Sequence, residues 1–407
     1  MHSSLHSFPF FFLLLSVSLP KASSFMGISA GVGIWINGRG GRAGFAAPVP
    51  NAEGDEYRAL QAWKAAIFDD PNGILSSWVG ADVCSYERVY CSDPPEPISS
   101  ASSVVAVVDL NGANLQGTLV DELSLLAHLS VLHLNSNRFS GPVPDPFRDL
   151  HYLSELDLSN NLFSGPFPTS TLLIPNLVYL DLRFNSFSGR IPDELFEKEL
   201  DAIFLNDNKF EGEIPMGIWA SAASAITLAN NQLTGSIPAN FGYMGSGVKE
   251  ILFLNNKLTG CIPEGLGYLT GMQVLDLSFN SLTGRLPESL SCLAGIQILN
   301  VGHNKLTGEL PELVCELRSL VNLTVAYNFF SGVSDDCTRL GFRNVGFNLS
   351  GNCIPGMGMQ RPAPECEGGA PAGSLNCLKI PGTRPMACTA AGGMTATLPG
   401  FFRASVP

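Results

Sequence analysis

The stretch Leu156-Asp157-Leu158-Ser159-Asn160-Asn161-Leu162-Phe163-Ser164-Gly165-Pro166-Phe167-Pro168 contains the pattern on which the fold depends. Its asparagine, Asn161, follows two leucines spaced as in a short strand and precedes an apolar residue, a glycine and a proline. Neighbouring copies of this asparagine are 23 to 25 residues apart, which indicates one structural unit repeated many times. The asparagine recurs at Asn137, Asn161, Asn185, Asn208, Asn231, Asn256, Asn280, Asn304 and Asn328.

A period of this length predicts a leucine-rich repeat solenoid, an α/β-type repeat fold with a curved parallel β-sheet. We expect repeats over 104–348, ten clear units and a degenerate closing unit that ends at Asn348. Each asparagine should turn inward and bond the backbone of the adjacent turn, because a buried amide must be satisfied. The apolar residue two positions later, such as Phe163, should pack in the core, and the glycine and proline should keep the chain extended.

Caps are expected at both ends of the solenoid, because a terminal repeat would otherwise expose its apolar end. The predicted N-terminal cap, 55–103, has helical spacing from Asp55 to Phe68 and a short loop between Cys84 and Cys91 that suits a disulfide. The predicted C-terminal cap, 349–367, is rich in cysteine and contains Cys353 and Cys366.

Repeat phase constrains the remaining cysteines. Cys292, Cys315 and Cys337 lie at similar positions of consecutive turns, on the convex side, at a spacing that a disulfide can bridge. Cys315 can therefore pair with Cys292 or Cys337, and we favour Cys337. The pairing of Cys261, Cys292, Cys377 and Cys388 stays open.

The N-terminus is typical of an export signal. Residues 1–24 have an apolar core from Phe8 to Leu19, followed by small residues, and 25–54 form a Gly/Ala-rich lead-in that we expect to be flexible. No later stretch is apolar enough to span a membrane, and ten cysteines suit an oxidising compartment. We therefore expect a secreted protein without a transmembrane anchor. The tail, 368–407, is rich in Gly, Ala and Pro and is expected to be disordered.

Composition narrows the classes of partner. The formal net charge is −13, which disfavours nucleic acid and favours a basic peptide or protein. The glycine-rich segments are repeat turns without a phosphate-binding Lys-Ser/Thr, and no nucleophile is paired with a base. We expect no enzyme activity, no cofactor and no metal.

Function should reside in the residues that flank the strand leucines, because these face solvent on the concave sheet. Aromatic and apolar side chains among carboxylates there are typical of an interface, in which apolar anchors supply affinity and the acidic field steers a basic partner. The candidate ligand-binding residues are Glu155, Asp157, Tyr179, Asp181, Arg183, Phe184, Phe204, Asp207, Glu250, Leu252, Asp276 and Phe279.

Two glycosylation sequons occur, at Asn322 and at Asn348. Asn322 falls in a concave column, where a glycan would restrict a partner to the earlier repeats. Asn348 coincides with the degenerate asparagine position, where burial would prevent modification.

Several blocks give the chain a family resemblance. They are Ala62-Trp63-Lys64-Ala65-Ala66-Ile67 with Asp70-Pro71-Asn72, the segment from Glu250 to Cys261, Tyr327-Asn328-Phe329-Phe330, and Asn352-Cys353-Ile354-Pro355-Gly356 with Arg361-Pro362. With the recurrent Gly-x-Ile-Pro signature of plant extracellular repeats, these resemble the leucine-rich repeat extensin-like family over roughly Asp55 to Cys366.

The resemblance implies a cell-wall protein whose repeat domain binds basic, cysteine-rich signalling peptides and acts in wall integrity or growth. Members also carry a Ser-Pro-rich tail that anchors them to the wall. No Ser-Pro-Pro-Pro-Pro repeat follows Cys366 here, so the resemblance does not extend to anchoring. The alternative function is inhibition of pathogen wall-degrading enzymes, as in polygalacturonase-inhibiting proteins. Adhesion to a cell-wall polysaccharide is a third reading, which the acidity of the chain disfavours.

Overall fold

The computed structural model describes residues 54–94, 103–245 and 247–368. Short strands, one from each side of a repeat, dominate these stretches. In chain order they are β1 Ile67–Asp69, β2 Val89–Ser92, β3 Val104–Asp109, β4 Gln116–Thr118, β5 Val131–His133, β6 Arg138–Gly141, β7 Glu155–Asp157, β8 Leu162–Pro166, β9 Tyr179–Asp181, β10 Ser186–Arg190, β11 Ala202–Phe204, β12 Lys209–Glu213, β13 Ala225–Thr227, β14 Gln232–Thr234, β15 Glu250–Leu252, β16 Val274–Asp276, β17 Thr283–Gly284, β18 Ile298–Asn300, β19 Lys305–Glu309, β20 Asn322–Thr324, β21 Phe329–Gly332 and β22 Gly346–Asn348.

One strand of each repeat joins a 12-stranded sheet, in the order β2-β3-β5-β7-β9-β11-β13-β15-β16-β18-β20-β22. The strands are parallel except at β2, which pairs antiparallel with β3 and closes the N-terminal edge. From β5 to β20 the middle residue of each strand in this sheet, such as Leu156, is buried, and its neighbours face the other side of the sheet. The predicted leucine-rich repeat solenoid with a parallel sheet is confirmed.

A second sheet, which the sequence analysis did not predict, lies after the asparagines. It has the order β1-β4-β6-β8-β10-β12-β14 and is followed by β17-β19-β21. Its strands begin close to the apolar residue after each asparagine and end near the glycine, as β8 does at Leu162–Pro166. Two isolated bridges, Ser236 with Thr259 and Cys261 with Thr283, connect the two groups.

The convex side is formed by single helical turns. The described residues contain four α-helices: α1 Asp55–Ala66, a longer helix of the N-terminal cap, and the short helices α2 Glu312–Cys315, α3 Asp335–Thr338 and α4 Ala363–Gly368. Most other repeats use a 3₁₀ turn directly after the proline, which fixes the φ angle at the turn's start. The turns that follow a proline are Asp145–Asp149, Thr169–Leu173, Asp193–Phe196, Met216–Ala220, Ala239–Tyr243, Glu264–Tyr268 and Glu288–Cys292. The turn Asp121–Leu125 follows Val120 instead, and further 3₁₀ turns lie in the caps at Ile74–Ser77, Val83–Ser85 and Leu340–Arg343.

Each repeat asparagine links two turns by the same hydrogen bonds. Asn161, which is 7% exposed, receives the N–H of Phe139 on Oδ1 at 2.9 Å. Its Nδ2 donates to the carbonyls of Leu134 in the preceding turn at 2.8 Å and of Leu158 in its own turn at 3.2 Å. These bonds satisfy buried backbone groups of two consecutive turns.

A column of stacked rings fills the core beside the asparagines. Phe139, Phe163, Phe187 and Phe210 stack with ring centroids 6.2 to 6.4 Å apart. Trp63 of α1 stacks on Phe139 at 5.8 Å, so the N-terminal cap continues the column instead of exposing it to water.

Disulfides fasten both caps. Cys84 is bonded to Cys91, with Cα atoms 5.6 Å apart, and Cys353 is bonded to Cys366, at 5.7 Å. Cys315 on α2 is bonded to Cys337 on α3, at 5.0 Å, which joins consecutive turns on the convex side. Cys261 and Cys292 are disulfide-bonded as well.

The closing unit differs from the prediction. Asn348 is not the last member of the asparagine series, because it lies exposed at the end of β22. Asn352 takes that position: its Oδ1 receives the N–H of Phe330 at 3.1 Å and its Nδ2 donates to Val325 O at 3.1 Å. The repeat pattern therefore continues past the predicted limit at 348. The prediction also placed the end of α1 too late, since β1 begins at Ile67.

The predictions for the termini lie outside the described residues. They concern the export signal at 1–24, the lead-in up to residue 53 and the tail from residue 369 onwards. Within the described stretches, no helix is long and apolar enough to span a membrane.

Replacement of a repeat asparagine should destabilise the solenoid. Asn161→Ala leaves the Phe139 N–H and the Leu134 carbonyl buried without their partner, so we expect the free energy of unfolding to fall by about 3 kcal/mol. Urea unfolding with intact disulfides measures this loss. The control is Asn176→Ala, which removes an exposed amide bonded only to His151 O and should cost less than about 0.5 kcal/mol. Equal losses in the two variants would refute the proposed role.

Candidate binding surface on the concave sheet

The register of the large sheet arranges the candidate residues in two rows that cross the strands. The first row contains Glu155, Tyr179, Ala202, Ala225, Glu250 and Val274. The second row lies two residues further along each strand and contains His133, Asp157, Asp181, Phe204, Thr227, Leu252 and Asp276. Because each pair of residues flanks one buried leucine or isoleucine, both rows belong to the concave surface.

At the N-terminal end of this surface, a histidine on β5 lies next to a carboxylate on β7. His133 Nε2 lies 3.0 Å from Glu155 Oε2. Burial lowers the pKa of His133, but the hydrogen bond to Glu155 and the charges of Glu155, Asp157 and Asp109 outweigh burial and raise it overall. The same hydrogen bond lowers the pKa of Glu155. This pair is therefore a polar contact that gains charge as the pH falls.

The next strands hold a compact cluster around Asp181. Asp181 Oδ2 lies 2.8 Å from Arg183 Nε and accepts a 3.3 Å hydrogen bond from the Tyr179 hydroxyl. The Arg183 guanidinium lies over the Phe204 ring, with Cζ 4.8 Å from the ring centroid. Tyr179 and Phe204 meet edge to face at 6.1 Å. Four of the predicted residues are thus in mutual contact.

The expectation that Asp181 faces solvent is wrong, because its side chain is 0% exposed. Tyr179 and Arg183 both contact its carboxylate. Burial is the main cause that raises the pKa of Asp181 to about 7; the charge of Arg183 acts in the opposite direction, and the charge of Asp157 adds to the increase. A partner would therefore meet Tyr179, Arg183 and Phe204, with Asp181 acting beneath them.

A second group lies on β15, β16 and β18, beyond Ala225. Asp276 accepts hydrogen bonds from Ser278 N at 2.9 Å and from Asn300 Nδ2 at 2.9 Å. Burial raises its pKa in spite of these donors. The side chain of Glu250, between Ala225 and Val274, makes no hydrogen bond or ion pair within the described part of the chain, and burial raises its pKa. Leu252 adds a half-buried apolar side chain beside them.

Phe184, Asp207 and Phe279 follow the strands and do not lie in them. Each precedes a repeat asparagine and has a positive φ, of 54°, 56° and 53°. Asp207 accepts a hydrogen bond from Asn230 Nδ2 at 2.8 Å. Asn230 Oδ1 in turn accepts a hydrogen bond from Asn255 Nδ2 at 2.8 Å.

Phe279 begins a stack of rings on the following turns. Its ring lies 4.1 Å from that of His303, which lies 4.3 Å from Tyr327. The repeat phase also predicts that His303 and Tyr327 face solvent, one residue before an asparagine, although the candidate ligand-binding residues did not include them.

Both sequon asparagines are exposed near the C-terminal end of this sheet. Thr324 Oγ1 donates to Asn322 Oδ1 at 3.0 Å, and Ser350 Oγ donates to Asn348 Oδ1 at 2.9 Å. The expectation that burial protects Asn348 is wrong, because Asn352 occupies the buried asparagine position. Glycosylation at either site stays a prediction.

One group of carboxylates could in principle hold a cation. Oxygen atoms of Glu312, Glu316 and Asp336 lie within 4.8 Å of one another on the convex side. The hydrogen bond between Glu312 and Asp336 is the largest cause that raises the pKa of Glu312, and the negative charges of Asp336 and Glu316 raise it further. Surface clusters of this kind are common without a metal, and the expectation of no metal or cofactor stays a prediction.

The fold and its caps define the class as a leucine-rich repeat protein with cysteine-stapled ends. Family models agree: the leucine rich repeat N-terminal domain matches 53–92, and leucine rich repeat models match 127–187, 271–293 and 295–317. Leucine-rich repeat extensin-like protein 2 of Arabidopsis thaliana is 53% identical over 324 residues, which cover 80% of this chain and 41% of that protein. The repeat region of this chain is therefore similar to that of leucine-rich repeat extensin-like proteins. The chain spans less than half the length of the curated relatives it matches.

Solved structures with the same fold have diverse roles. The Arabidopsis receptor kinase HAESA, in complex with the peptide hormone IDA and the co-receptor SERK1, matches with a TM-score of 0.63 and 29% identity, over 74% of this chain and 50% of that one. A plant ice-binding protein matches with a TM-score of 0.60 and 26% identity, over 76% and 96%. The fold alone therefore does not identify the function, which depends on the surface residues.

The buried carboxyl of Asp181 should make stability depend on pH. The folded state keeps a proton up to a pKa of about 7, whereas an unfolded aspartate loses it near about pH 4. Between these values the folded state binds more protons, so the free energy of unfolding falls as pH rises, by at most about 1.4 kcal/mol per pH unit.

Asp181→Asn should remove this contribution, and urea unfolding across this pH range measures the difference from the wild-type protein. Asp121→Asn, which changes an exposed carboxylate, is the control and should leave the pH profile unchanged. If the Asp181→Asn and wild-type profiles run parallel, Asp181 does not titrate as described.

Proposed function

We propose that this protein is a secreted recognition protein of the plant cell wall, which binds a basic, cysteine-rich signalling peptide on its concave face and so acts in wall integrity or growth. The observation that carries the proposal is the Tyr179–Asp181–Arg183–Phe204 cluster, with Glu155 and Asp157 on the adjoining strand. Aromatic rings in mutual contact and fixed by a buried carboxylate are typical of the anchors that dominate binding energy.

Charge supports a basic partner. The two concave rows present Glu155, Asp157, Glu250 and Asp276, and the whole chain has a formal net charge of −13. Acidic groups on a curved surface attract a cationic peptide from a distance and increase the rate of association. Glu250 in particular lacks a partner within the described residues, so a lysine or arginine of the peptide would compensate a carboxylate that burial disfavours.

Relatives give independent support. HAESA, with the same fold, was solved with a peptide hormone, and the extensin-like relatives share the repeat region. Secretion, wall location and the absence of enzyme activity belong to the same proposal.

Titration calorimetry with a panel of basic, cysteine-rich secreted peptides tests the proposal. We expect a member of the panel to bind at micromolar concentration or below, and Phe204→Ala or Tyr179→Ala to weaken binding by about tenfold or more. Tyr152→Ala is the control, because Tyr152 is an exposed aromatic residue that stacks on His128 away from the concave rows. Absence of binding across the panel, or an equal effect of the control, contradicts the proposal.

Inhibition of wall-degrading enzymes and adhesion to a wall polysaccharide stay predictions, because no feature of the described surface favours either. An inhibitor of wall-degrading enzymes would reduce pectin hydrolysis when mixed with a polygalacturonase. A polysaccharide-binding protein would be retained on pectin in a salt-sensitive manner.

A further inference from the structure

We propose that Arg183 binds a carboxylate of the bound peptide and so fixes the direction and register of that peptide on an otherwise acidic face. This inference rests on the proposed function and adds one contact of opposite charge to it. Of the residues that flank the strands in the two concave rows and in the two positions after them, Arg183 is the sole lysine or arginine. A basic peptide therefore has one place on this surface for an acidic group.

The guanidinium is held in position before any partner arrives. Nε lies 2.8 Å from Asp181 Oδ2, and Cζ lies 4.8 Å from the centroid of the Phe204 ring. The backbone N–H of Arg183 also donates to Asp181 Oδ1 at 3.1 Å, so the carboxylate contacts the residue at both ends. A group fixed in this way loses little conformational freedom on binding.

The outer part of the guanidinium is unused. No hydrogen bond engages Nη1 or Nη2 of Arg183 within the described residues, and the side chain is 36% exposed. Arg138 is the contrast: its Nη1 donates to Gln116 Oε1 at 3.1 Å, and its Nη2 donates to Asp69 at 2.7 Å and to Asn114 O at 2.6 Å. Arg138 thus holds the N-terminal cap to the repeats, whereas Arg183 has donors available for a ligand.

The chemistry of the available atoms points to a carboxylate. Guanidinium and carboxylate groups form paired, charge-assisted hydrogen bonds, for which the flat fork of arginine is well suited. The carboxylate can be the C-terminus of the peptide or an Asp or Glu side chain, and both share this chemistry.

The buried carboxyl beneath Arg183 controls the net charge of the contact. The charged or titratable groups that face Asp181 are Arg183, Tyr179 and, on the adjoining strand, Asp157. With a pKa of about 7, Asp181 is largely protonated in mildly acidic solution, which leaves the positive charge of Arg183 uncompensated. Above neutrality, Asp181 is ionised and competes with the ligand for the guanidinium. Carboxylate binding should therefore strengthen as the pH falls from about 8 to about 6.

Nuclear magnetic resonance of the full chain, labelled with ¹⁵N-arginine, tests the proposal with small probes. Arg183→Lys identifies the side-chain signal of Arg183. The probes are N-acetylglycine for a C-terminal carboxylate, N-acetylaspartic acid α-amide for a side-chain carboxylate, and N-acetylglycinamide as the uncharged control. Galacturonic acid represents a wall polysaccharide.

We expect at least one of the two peptide carboxylates to shift the Arg183 signal saturably, with an apparent dissociation constant of about 10 mM or below, and to leave Arg138 unchanged. N-acetylglycinamide should have no effect. The affinity should fall at least about threefold between pH 6 and pH 8, and Asp181→Asn should remove this pH dependence. Which of the two carboxylates binds more tightly distinguishes a C-terminal from a side-chain contact.

Three results would overturn the inference: no saturable shift of Arg183, a shift matched by Arg138, or tighter binding of galacturonic acid than of either peptide probe. These outcomes are independent of the peptide titration, because the small probes report on Arg183 whether or not a basic peptide binds. Conversely, a basic peptide that binds the wild-type protein and Arg183→Gln equally well would leave the proposed function intact and remove this contact from it.

Discussion

The hydrogen bonds of the repeat asparagines set the geometry on which the rest of the structure depends. Each amide bonds a carbonyl of its own turn and both an N–H and a carbonyl of the preceding turn. Asn161, for example, bonds Leu158 in its own turn and Leu134 and Phe139 in the preceding one. Because every linking side chain is an asparagine of the same length, each turn lies at the same distance from the next and equivalent residues of successive turns are aligned. The Phe139–Phe210 stack, both sheets and the rows of the concave surface all follow from that alignment.

The concave surface carries groups that are unfavourable for stability. Burial raises the pKa values of Asp181, Glu250 and Asp276, which means that the folded protein disfavours their charged forms. Acidic groups retained at such a cost are typical of binding surfaces, where stability is lost in exchange for recognition. Asp181, with a pKa of about 7, makes the charge beneath this surface sensitive to pH near neutrality.

The repeat period predicted the fold and the positions of the concave residues, because one phase fixes which side chains leave the sheet. It did not predict the burial of Asp181, which depends on how Tyr179 and Arg183 fold over it and not on phase. The prediction that the series ends at Asn348 overlooked Asn352. That residue lies 24 residues after Asn328 and follows Phe347 and Leu349 with the spacing of the other repeats. The second sheet was missed because its strands have no alternating pattern of their own.

Recognition on this scaffold must come from the few places where the turns differ. The receptor HAESA and a plant ice-binding protein share the fold, so neither the asparagines nor the stacked phenylalanines distinguish a ligand. Between β7 and β16 the rows change from acidic and aromatic to small and apolar at Ala202 and Ala225, and then return to acidic at Glu250. With Arg183 on one side of this gap and Glu250 on the other, the surface carries opposite charges at a fixed separation. A linear partner that satisfies both can bind in one direction only, which gives an acidic groove selectivity beyond its net charge.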